Sequence, residues 1–381
     1  MHKIATVYGT RPEAIKVAPL VKRLESEPRF AHTLISTGQH TEMLEQVNEL
    51  FGMSPDFELD VFSAGQSLNG LVSKVTNSLD QVLTKVSPDA IVVQGDTSTV
   101  TAAALAAFNL KVPVIHLEAG LRSGNLFSPF PEEANRRIVS QVASLHLCPT
   151  STARRNLLDS GIQSSDIFVT GNTVIDALHQ AVTIDAPPSV HVAEALTARN
   201  QCALVTLHRR ENWPQMTEIA QAIADIALRF PDRTFILPLH ANPRVRAPLI
   251  AALSSLPNVF LTDSIDYRDM VAVLQRCDFV ITDSGGLQEE APSLGKPVFV
   301  VRDDTERPEA VLAGTVMLVG TSRHSVTRGV LEIVEDPARL EVMRGATNPY
   351  GDGHAAQRCV AAIANMLGSG VPVEEFQPEG V

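Results

Sequence analysis

Three carboxylates stand where they could transfer protons on a bound sugar. Asp96 and Glu118 each follow a strongly apolar run, and partial burial at such a strand end can shift a carboxyl pKa toward acid–base work. Glu132 and Glu133 open a helical stretch, where Glu133 is better explained as a complement to the helix dipole. Two or three carboxylates across one sugar ring suit cleavage of a glycosidic bond and proton transfer.

A phosphate site is predicted in the run DSGGLQEEAPSLGKPV at 283–298. Ser284, Gly285 and Gly286 follow a short apolar strand and open a helix whose first N–H groups carry no bulky side chain. Such a helix start binds anions, and the carboxylates of Glu289 and Glu290 beyond it suit sugar or ribose hydroxyls. The alternative is an ordinary strand-to-helix turn with serine as its N-cap.

Cationic side chains that could bind a diphosphate lie in two other segments. Arg11 follows the first strand and Lys16 lies about one helical turn later, so together they offer a bidentate fork and a point charge. A solvated helix start is the alternative for both residues. Arg307, in the segment ERPE, offers a further contact to phosphate or uracil. No GxGxxG motif follows the first strand, so the sequence does not predict a dinucleotide site.

The positions of the histidines and cysteines indicate a candidate hydrogen-bond donor at the phosphate and argue against a metal site. His208 ends the first strand of the second half, where an imidazole could donate to a leaving phosphate or hold a carboxylate. His208 and His240 lack companion ligands at metal spacing, and the cysteines form no CxxC pair, so we predict no metal site. Cysteines 148, 202 and 277 lie in apolar surroundings and are predicted to be buried thiols.

Apolar strand-like runs alternate with helical patterns from end to end. The predicted strands are 3–8, 32–36, 90–94, 112–117, 145–148, 166–170, 203–206, 234–239, 258–262, 279–282, 297–301 and 315–319. This alternation predicts an α/β fold with parallel sheets, arranged as two Rossmann-like domains facing a cleft. Ligands of such sheets bind beyond the carboxyl ends of the strands, where the charged motifs cluster.

Length and composition limit the architecture and the class of partner. At 381 residues, two domains are favoured, and we predict them at 1–170 and 171–353, with a C-terminal helix at about 354–381 packing back on the first. The net charge of −12 argues against a nucleic-acid binder. No apolar run is long enough to span a membrane, and the start MHKIATVYGT reads as a strand and not as a signal peptide. We therefore expect a cytoplasmic protein.

Long motifs in order along the chain resemble the non-hydrolysing UDP-N-acetylglucosamine 2-epimerases. The matching segments are GTRPEAIKVAPL (9–20), TGQH (37–40), GDT (95–97), HLEAGLRS (116–123), PEEANRR (131–137), GNTVIDAL (171–178), HRREN (208–212), DSGGLQEEAPSLGKPV (283–298), ERPEAV (306–311) and NPYGDG (348–353). The resemblance spans nearly the whole chain.

The resemblance implies a glycosyltransferase-B type fold, a homodimer, and interconversion of UDP-GlcNAc and UDP-ManNAc without nicotinamide or metal, in cell-surface polysaccharide biosynthesis. In that family UDP is eliminated to give 2-acetamidoglucal and then re-added with inversion at C2. By the same resemblance Asp96, Glu118 and Glu132 are the acid/base groups, and His208 assists at the diphosphate. The residues that would hold UDP are Arg11, Lys16, Ser284, Gly285, Gly286, Glu290 and Arg307.

One departure from the family concerns activation by a second UDP-GlcNAc molecule. Many bacterial members build that site from a Gln-His segment and a later arginine. Here the later stretch carries Gly65 in place of an arginine, so substrate activation is expected to be weak or differently built. The positions that could contribute to a second site are Gln39, His40, Glu42, Arg209 and His240.

Three other functions are compatible with parts of the pattern. A hydrolysing epimerase would use much the same residues but let water capture the glycal, releasing ManNAc and UDP. A glycosyltransferase would need an acceptor cleft where Arg11, Asp96 and Glu118 crowd the space. A silent nucleotide-sugar sensor would keep the phosphate-binding residues and lose the acid/base carboxylates.

Overall fold

The computed structural model describes residues 1–38, 41–63, 65–370 and 374–378, with the backbone alone of 41–43. The chain folds into two compact units. One contains Met1–Gln180 and Tyr350–Gln377, and the other contains Ala181–Pro349. Each unit is built around its own parallel β-sheet.

The sheet of the first unit has seven strands in the order β3-β2-β1-β4-β5-β6-β7, all paired in parallel. Its strands are β1 (His2–Tyr8), β2 (Phe30–Ser36), β3 (Phe57–Glu58), β4 (Ala90–Gln94), β5 (Val114–Leu117), β6 (Leu145–Cys148) and β7 (Ile167–Val169). The central strands β4 and β5 are buried along their whole length, as expected for a parallel sheet covered by helices on both faces.

Helices connect these strands and cover the sheet. They are α1 (Arg11–Ser26), α2 (Thr41–Phe51), α3 (Leu68–Val86), α4 (Ser98–Asn109), α5 (Glu132–Val142), α6 (Ser151–Asp159) and α7 (Thr173–Thr183). A capping box begins α1: the Thr10 side chain accepts from Glu13 N, and the Glu13 carboxylate accepts from the Thr10 N. This cap fixes the residue at which α1 begins and so the position of its charged first turn.

The second unit repeats the architecture with six strands in the order β10-β9-β8-β11-β12-β13. Its strands are β8 (Gln201–Thr206), β9 (Arg233–Pro238), β10 (Val259–Thr262), β11 (Phe279–Thr282), β12 (Val298–Val300) and β13 (Val316–Leu318). Its helices, followed by the chain's last helix, are α8 (Val190–Thr197), α9 (Met216–Arg229), α10 (Pro243–Leu253), α11 (Tyr267–Arg276), α12 (Gly285–Ser293), α13 (Pro308–Leu312), α14 (Arg323–Val334), α15 (Pro337–Gly345) and α16 (Ala355–Met366).

In each sheet the first strand, β1 or β8, lies in the interior, and the strand order runs outward from it in both directions. This is the doubly wound arrangement. The predicted alternation of strands and helices is confirmed, with ends shifted by one or two residues at most strands. The sequence missed the two-residue strand β3, which is too short to carry a periodic pattern.

The C-terminal helix α16 packs against α1 in the first unit. It ends at Met366, short of the predicted 381, because Gly368 adopts a left-handed φ of 72°. Most of α7 also belongs to the first unit, where the Asp176 carboxylate accepts from the N–H groups of Ala355 and Ala356 at 3.1 and 2.8 Å. The domain boundaries at 170 and 353, inferred from the sequence, remain a prediction.

The cysteines are four free thiols, all buried, as predicted for three of them. Burial raises the pKa of Cys202 to about 11 and that of Cys277 to about 12. Across the described ranges, no helix is long and apolar enough to cross a bilayer.

Candidate active site

Glu118 lies just beyond the carboxyl end of β5 and is almost fully buried at 8% exposure. Lys16 Nζ lies 2.6 Å from its Oε1 and 2.7 Å from its Oε2. Asn172 Nδ2 donates to Oε1 at 3.2 Å, and Gln94 Nε2 donates to Oε2. A cation and two amide donors around this buried carboxylate hold it in one orientation.

Asp96 stands at the next strand end, after β4. Its Oδ2 accepts from Arg136 Nε at 2.9 Å and pairs with Arg136 Nη2 at 2.7 Å. Asn135 Nδ2 holds the Asp96 backbone carbonyl at 2.8 Å. Gly95, which makes the turn with a φ of 82°, is close to Glu118: a Cβ added there would lie 3.8 Å from Glu118 Oε2. The two carboxylates therefore occupy neighbouring strand ends.

A buried histidine fixes the turn that carries Asp96. His116, on β5, is 1% exposed and its Nε2 lies 2.7 Å from the Gly95 carbonyl oxygen. Burial lowers the pKa of His116 to about 4, so the ring is neutral and donates from Nε2. This hydrogen bond joins β5 to the Asp96 turn.

The start of α5 carries Glu132 and Glu133, which have different surroundings. Glu133 is fully buried; its Oε2 accepts from Ser123 N at 2.9 Å and its Oε1 accepts from Arg137 Nε at 2.9 Å. Burial alone would raise the pKa of Glu133, but these donors and Arg136 lower it. Glu132 is partly buried, and its Oε2 is enclosed without a hydrogen-bond partner within the described part of the chain. Glu133 is therefore a structural anion, whereas Glu132 keeps one buried oxygen that no hydrogen bond of the described residues satisfies.

Arg11 is the first residue of α1 and is partly buried. Among the described residues, the structure shows no ion pair or hydrogen bond to its side chain, and none joins it to Asp96 or Glu118. Lys16, predicted as a diphosphate ligand, contacts Glu118 here. The first unit thus brings together Lys16, Asp96 and Glu118, with Arg11 one turn earlier on the same helix.

In the second unit, His208 and Asp283 form a pair at the ends of β8 and β11. His208 Nδ1 lies 3.0 Å from Asp283 Oδ1, and Asp283 is 0% exposed. The same carboxylate accepts from the backbone N–H groups of His208 and Arg209 and from Asn212 Nδ2. Burial would raise the pKa of Asp283, but the hydrogen bonds and charge of His208 and the two backbone donors lower it.

The start of α12 has the open form expected of an anion site. Ser284 occupies the N-cap position of a strand-to-helix turn, but its hydroxyl accepts from no helix N–H. A Cβ at Gly285 would lie 2.6 Å from Arg307 Nη1, so a side chain there would displace the guanidinium. At Gly286 a Cβ would meet Glu290 Oε2 at 3.4 Å. The missing side chains leave the helix N–H groups accessible beside an arginine.

Glu306 gathers three arginines next to that helix start. Its Oε1 lies 2.9 Å from Arg209 Nη2 and 2.7 Å from Arg307 Nη1, and its Oε2 lies 2.6 Å from Arg302 Nη1. Burial would raise the pKa of Glu306, but the charges of Arg307, Arg209 and Arg302 lower it to about 2. Arg307 Nε also donates to Glu289 Oε1 at 2.5 Å. The guanidinium of Arg307 is therefore held rigidly beside Gly285.

Glu290 and His240 complete the predicted set in this unit. Tyr267 donates from its hydroxyl to Glu290 Oε1 at 3.0 Å, and burial raises the pKa of Tyr267 well above its usual value, so it remains a donor. His240 is exposed, with its ring centroid 6.5 Å from that of His208. Its Nδ1 accepts from Asn242 N at 3.1 Å.

Part of the predicted second site lies outside the described residues. This applies to Gln39, His40 and the side chain of Glu42. Gly65 is described, and its φ of 76° with open space around a Cβ marks a surface turn. Over the described ranges, no group of three or more His, Cys, Asp or Glu side chains could hold a metal ion.

Four supporting residues were not predicted from sequence: Gln94, Arg136, Asn172 and Asp283. Each lies within or beside one of the sequence motifs, and Gln94 and Asp283 stand at strand ends. Polar residues at the carboxyl ends of otherwise apolar strands were the signal that could have identified these two.

Comparison with known proteins identifies the family. The family model described as UDP-N-acetylglucosamine 2-epimerase matches residues 22–364. A probable UDP-N-acetylglucosamine 2-epimerase of Ralstonia nicotianae is 47% identical over 95% of this chain and 99% of that protein. The crystal structure of the Neisseria meningitidis UDP-GlcNAc 2-epimerase bound to UDP-GlcNAc is 42% identical with a TM-score of 0.87, covering 95% of this chain and 100% of that one.

A more distant structure bears on the fold alone. MurG of Acinetobacter baumannii is 14% identical with a TM-score of 0.57, covering 95% of this chain and 99% of that one. The fold is the predicted glycosyltransferase-B type, with two parallel-sheet α/β domains. The chain belongs to the UDP-N-acetylglucosamine 2-epimerase family, a family of isomerases.

Proposed function

We propose that this protein reversibly epimerises UDP-GlcNAc to UDP-ManNAc at C2 of the sugar, without hydrolysis. The observation that carries the proposal is the pair of carboxylates at adjacent strand ends, each in contact with a cation: Glu118 with Lys16 and Asp96 with Arg136. The Neisseria relative with UDP-GlcNAc bound supports the choice of substrate.

The chemistry explains why carboxylates are required. The hydrogen at C2 has no neighbouring carbonyl to acidify it, so a simple enolate route is closed. In the proposed route a carboxylate removes the C2 proton while the C1–O bond to UDP breaks, giving 2-acetamidoglucal and UDP. Re-addition of UDP with protonation from the opposite face inverts C2. Asp96, Glu118 and Glu132 supply these proton transfers, each worth about 10²–10⁴ in rate.

The nucleotide is proposed to bind through two sets of residues. In the second unit, Ser284, Gly285 and Gly286 offer helix N–H groups, Arg307 offers a guanidinium, and Glu290 accepts from ribose or sugar hydroxyls. His208 assists the leaving diphosphate. In the first unit, Arg11 and Lys16 supply positive charge to the diphosphate. The protein's net charge of −12 makes such local cations necessary for an anionic substrate.

Further properties rest on the family resemblance. We propose a homodimer that acts in the cytoplasm, folds as domains 1–170 and 171–353, and supplies UDP-ManNAc for cell-surface polysaccharide. The proposed reaction uses neither nicotinamide nor metal. Sedimentation of the purified protein tests the dimer.

Proton NMR of UDP-GlcNAc incubated with the purified protein in heavy water tests the reaction. The expected result is growth of UDP-ManNAc with deuterium entering C2. Free ManNAc and UDP would instead establish a hydrolysing epimerase. Binding without any change in the spectrum would overturn the proposal in favour of a transferase or a sensor.

A further inference from the structure

Asp283 is surrounded by hydrogen-bond donors. Its Oδ1 accepts from His208 N at 3.0 Å and faces His208 Nδ1 at 3.0 Å. Its Oδ2 accepts from Arg209 N at 3.0 Å and from Asn212 Nδ2 at 3.1 Å. A fully buried carboxyl among so many donors is stable only as a carboxylate, in agreement with its lowered pKa.

An ionised carboxylate only accepts hydrogen bonds, so it dictates which ring nitrogen of His208 carries the proton. At 3.0 Å, Asp283 Oδ1 requires a hydrogen on Nδ1. The Nε2 of a neutral His208 is then an acceptor, and it becomes a donor only when the ring takes a second proton. The protonation of Nδ1 in His208 is thereby fixed by a residue 75 positions away in sequence.

We propose that Asp283 is a positioning residue that holds His208 in the Nδ1–H form and stabilises its imidazolium beside the leaving diphosphate. The role assigned to His208 rests on the proposed function. When the C1–O bond breaks, its electron pair goes to the β-phosphate oxygen of UDP. The Nε2–H of the imidazolium donates a hydrogen bond to that oxygen, and Asp283 balances the ring's charge without losing its own.

The neighbours of the ring allow this arrangement. The ring centroid of His240 lies 6.5 Å from that of His208, and Arg209 follows His208 in the chain. Arg209 Nη2 is directed to Glu306 at 2.9 Å. Asp283 is therefore the anion in direct contact with the imidazole.

Nitrogen-15 NMR of the intact protein reads the tautomer directly. The His208 signals are assigned by their loss in His208→Gln. The expected result for the unmodified protein is a protonated Nδ1 in the neutral ring, and protonation of both nitrogens when UDP is added. A neutral ring protonated at Nε2 would overturn the proposal, whatever the activity.

Asp283→Asn tests the cause. In place of Oδ2 the amide NH₂ would face the donors of Arg209 and Asn212, whereas in place of Oδ1 it would face the single backbone donor His208 N, which also lies 3.1 Å from the other oxygen; the NH₂ should therefore replace Oδ1 and point at His208 Nδ1. His208 must then accept at Nδ1, which moves the neutral ring to the Nε2–H form. We expect kcat to fall about 10²-fold with a smaller change in KM. An unchanged tautomer with unchanged kcat would contradict the positioning role.

A matched control separates this effect from loss of a buried hydrogen bond. Thr206 Oγ1 lies 2.6 Å from Thr282 Oγ1 beneath the same strand ends. Thr206→Val should lower the melting temperature but leave the His208 tautomer and kcat near normal. If the unmodified protein shows the Nδ1–H form but never turns over UDP-GlcNAc, the proposed function fails. If turnover is normal and the tautomer is Nε2–H, the role of Asp283 fails alone.

Discussion

Lys16 places its ammonium against both carboxylate oxygens of Glu118, at 2.6 and 2.7 Å. The two residues come from the first turns of α1 and the end of β5. Glu118 also has a φ of 62°, a left-handed conformation that costs a glutamate about 1–3 kcal/mol. A strained backbone combined with a fixed counter-ion is typical of a side chain that is held in position for catalysis.

Removing either charged carboxylate should stop proton transfer and spare binding. Asp96→Asn and Glu118→Gln keep the shape of the side chain, so we expect UDP affinity by calorimetry to stay near normal. Turnover by NMR should fall by about 10²–10⁴. Near-normal activity in both variants would remove the acid/base assignment.

Lys16→Gln should weaken UDP binding and also lower turnover, because the ammonium is proposed to bind diphosphate and also fixes Glu118. Lys22→Gln is the control on the same helix, since Lys22 is half-buried and contacts the Gly52 carbonyl oxygen at 2.5 Å and Glu25 at 3.9 Å, outside the candidate site. Calorimetry and kinetics on both variants measure the difference. Equal UDP affinity in Lys16→Gln and the unmodified protein would rule out the diphosphate contact.

Gly285→Ala should weaken UDP binding by about tenfold or more, the value of one charge-assisted hydrogen bond. The new Cβ would lie 2.6 Å from Arg307 Nη1 and must displace that guanidinium. Gly345→Ala is the matched control, because a Cβ at this helical glycine has open space around it. Similar UDP affinity in the two variants would contradict a phosphate site at the start of α12.

Glu306→Gln should destabilise the protein in a pH-dependent way. The pKa of Glu306 is lowered from 4.5 to about 2, which corresponds to ~3 kcal/mol of stability. This contribution is present above pH 4.5 and is lost as the pH falls toward 2. In urea unfolding, the free energy of unfolding of Glu306→Gln should therefore be lower than that of the unmodified protein at pH 7, and this difference should become smaller below pH 4.5. A difference in the free energy of unfolding that does not change with pH would argue against stabilisation by the charge of Glu306.

Saturation with UDP-GlcNAc should be close to hyperbolic. By the family resemblance, Gly65 stands where members activated by a second UDP-GlcNAc are expected to carry an arginine, and among the described residues no atom would lie within 4 Å of a Cβ placed there. Initial rates over a wide range of UDP-GlcNAc measure the effect. A sigmoidal curve of ordinary strength would contradict the prediction.

The local elements and the segments that carry charge could be predicted from residue order alone. Strands such as β4 and β11 are short apolar runs bounded by polar turns, and this pattern is visible without neighbours. The start of α12 was predicted to be open because Gly285 and Gly286 bear no side chains, which is a property of composition. The family motifs likewise follow from the order of the residues.

Which of these groups meet depends on the tertiary fold. Lys16 and Glu118 are 102 residues apart, and no local pattern indicates that this lysine pairs with that carboxylate. Asp283 begins the motif at 283–298, but nothing in the sequence indicates that its carboxylate contacts the ring of His208. The physical reason is that parallel strands gather distant chain segments at one edge of a sheet, and burial there turns ordinary charges into fixed partners.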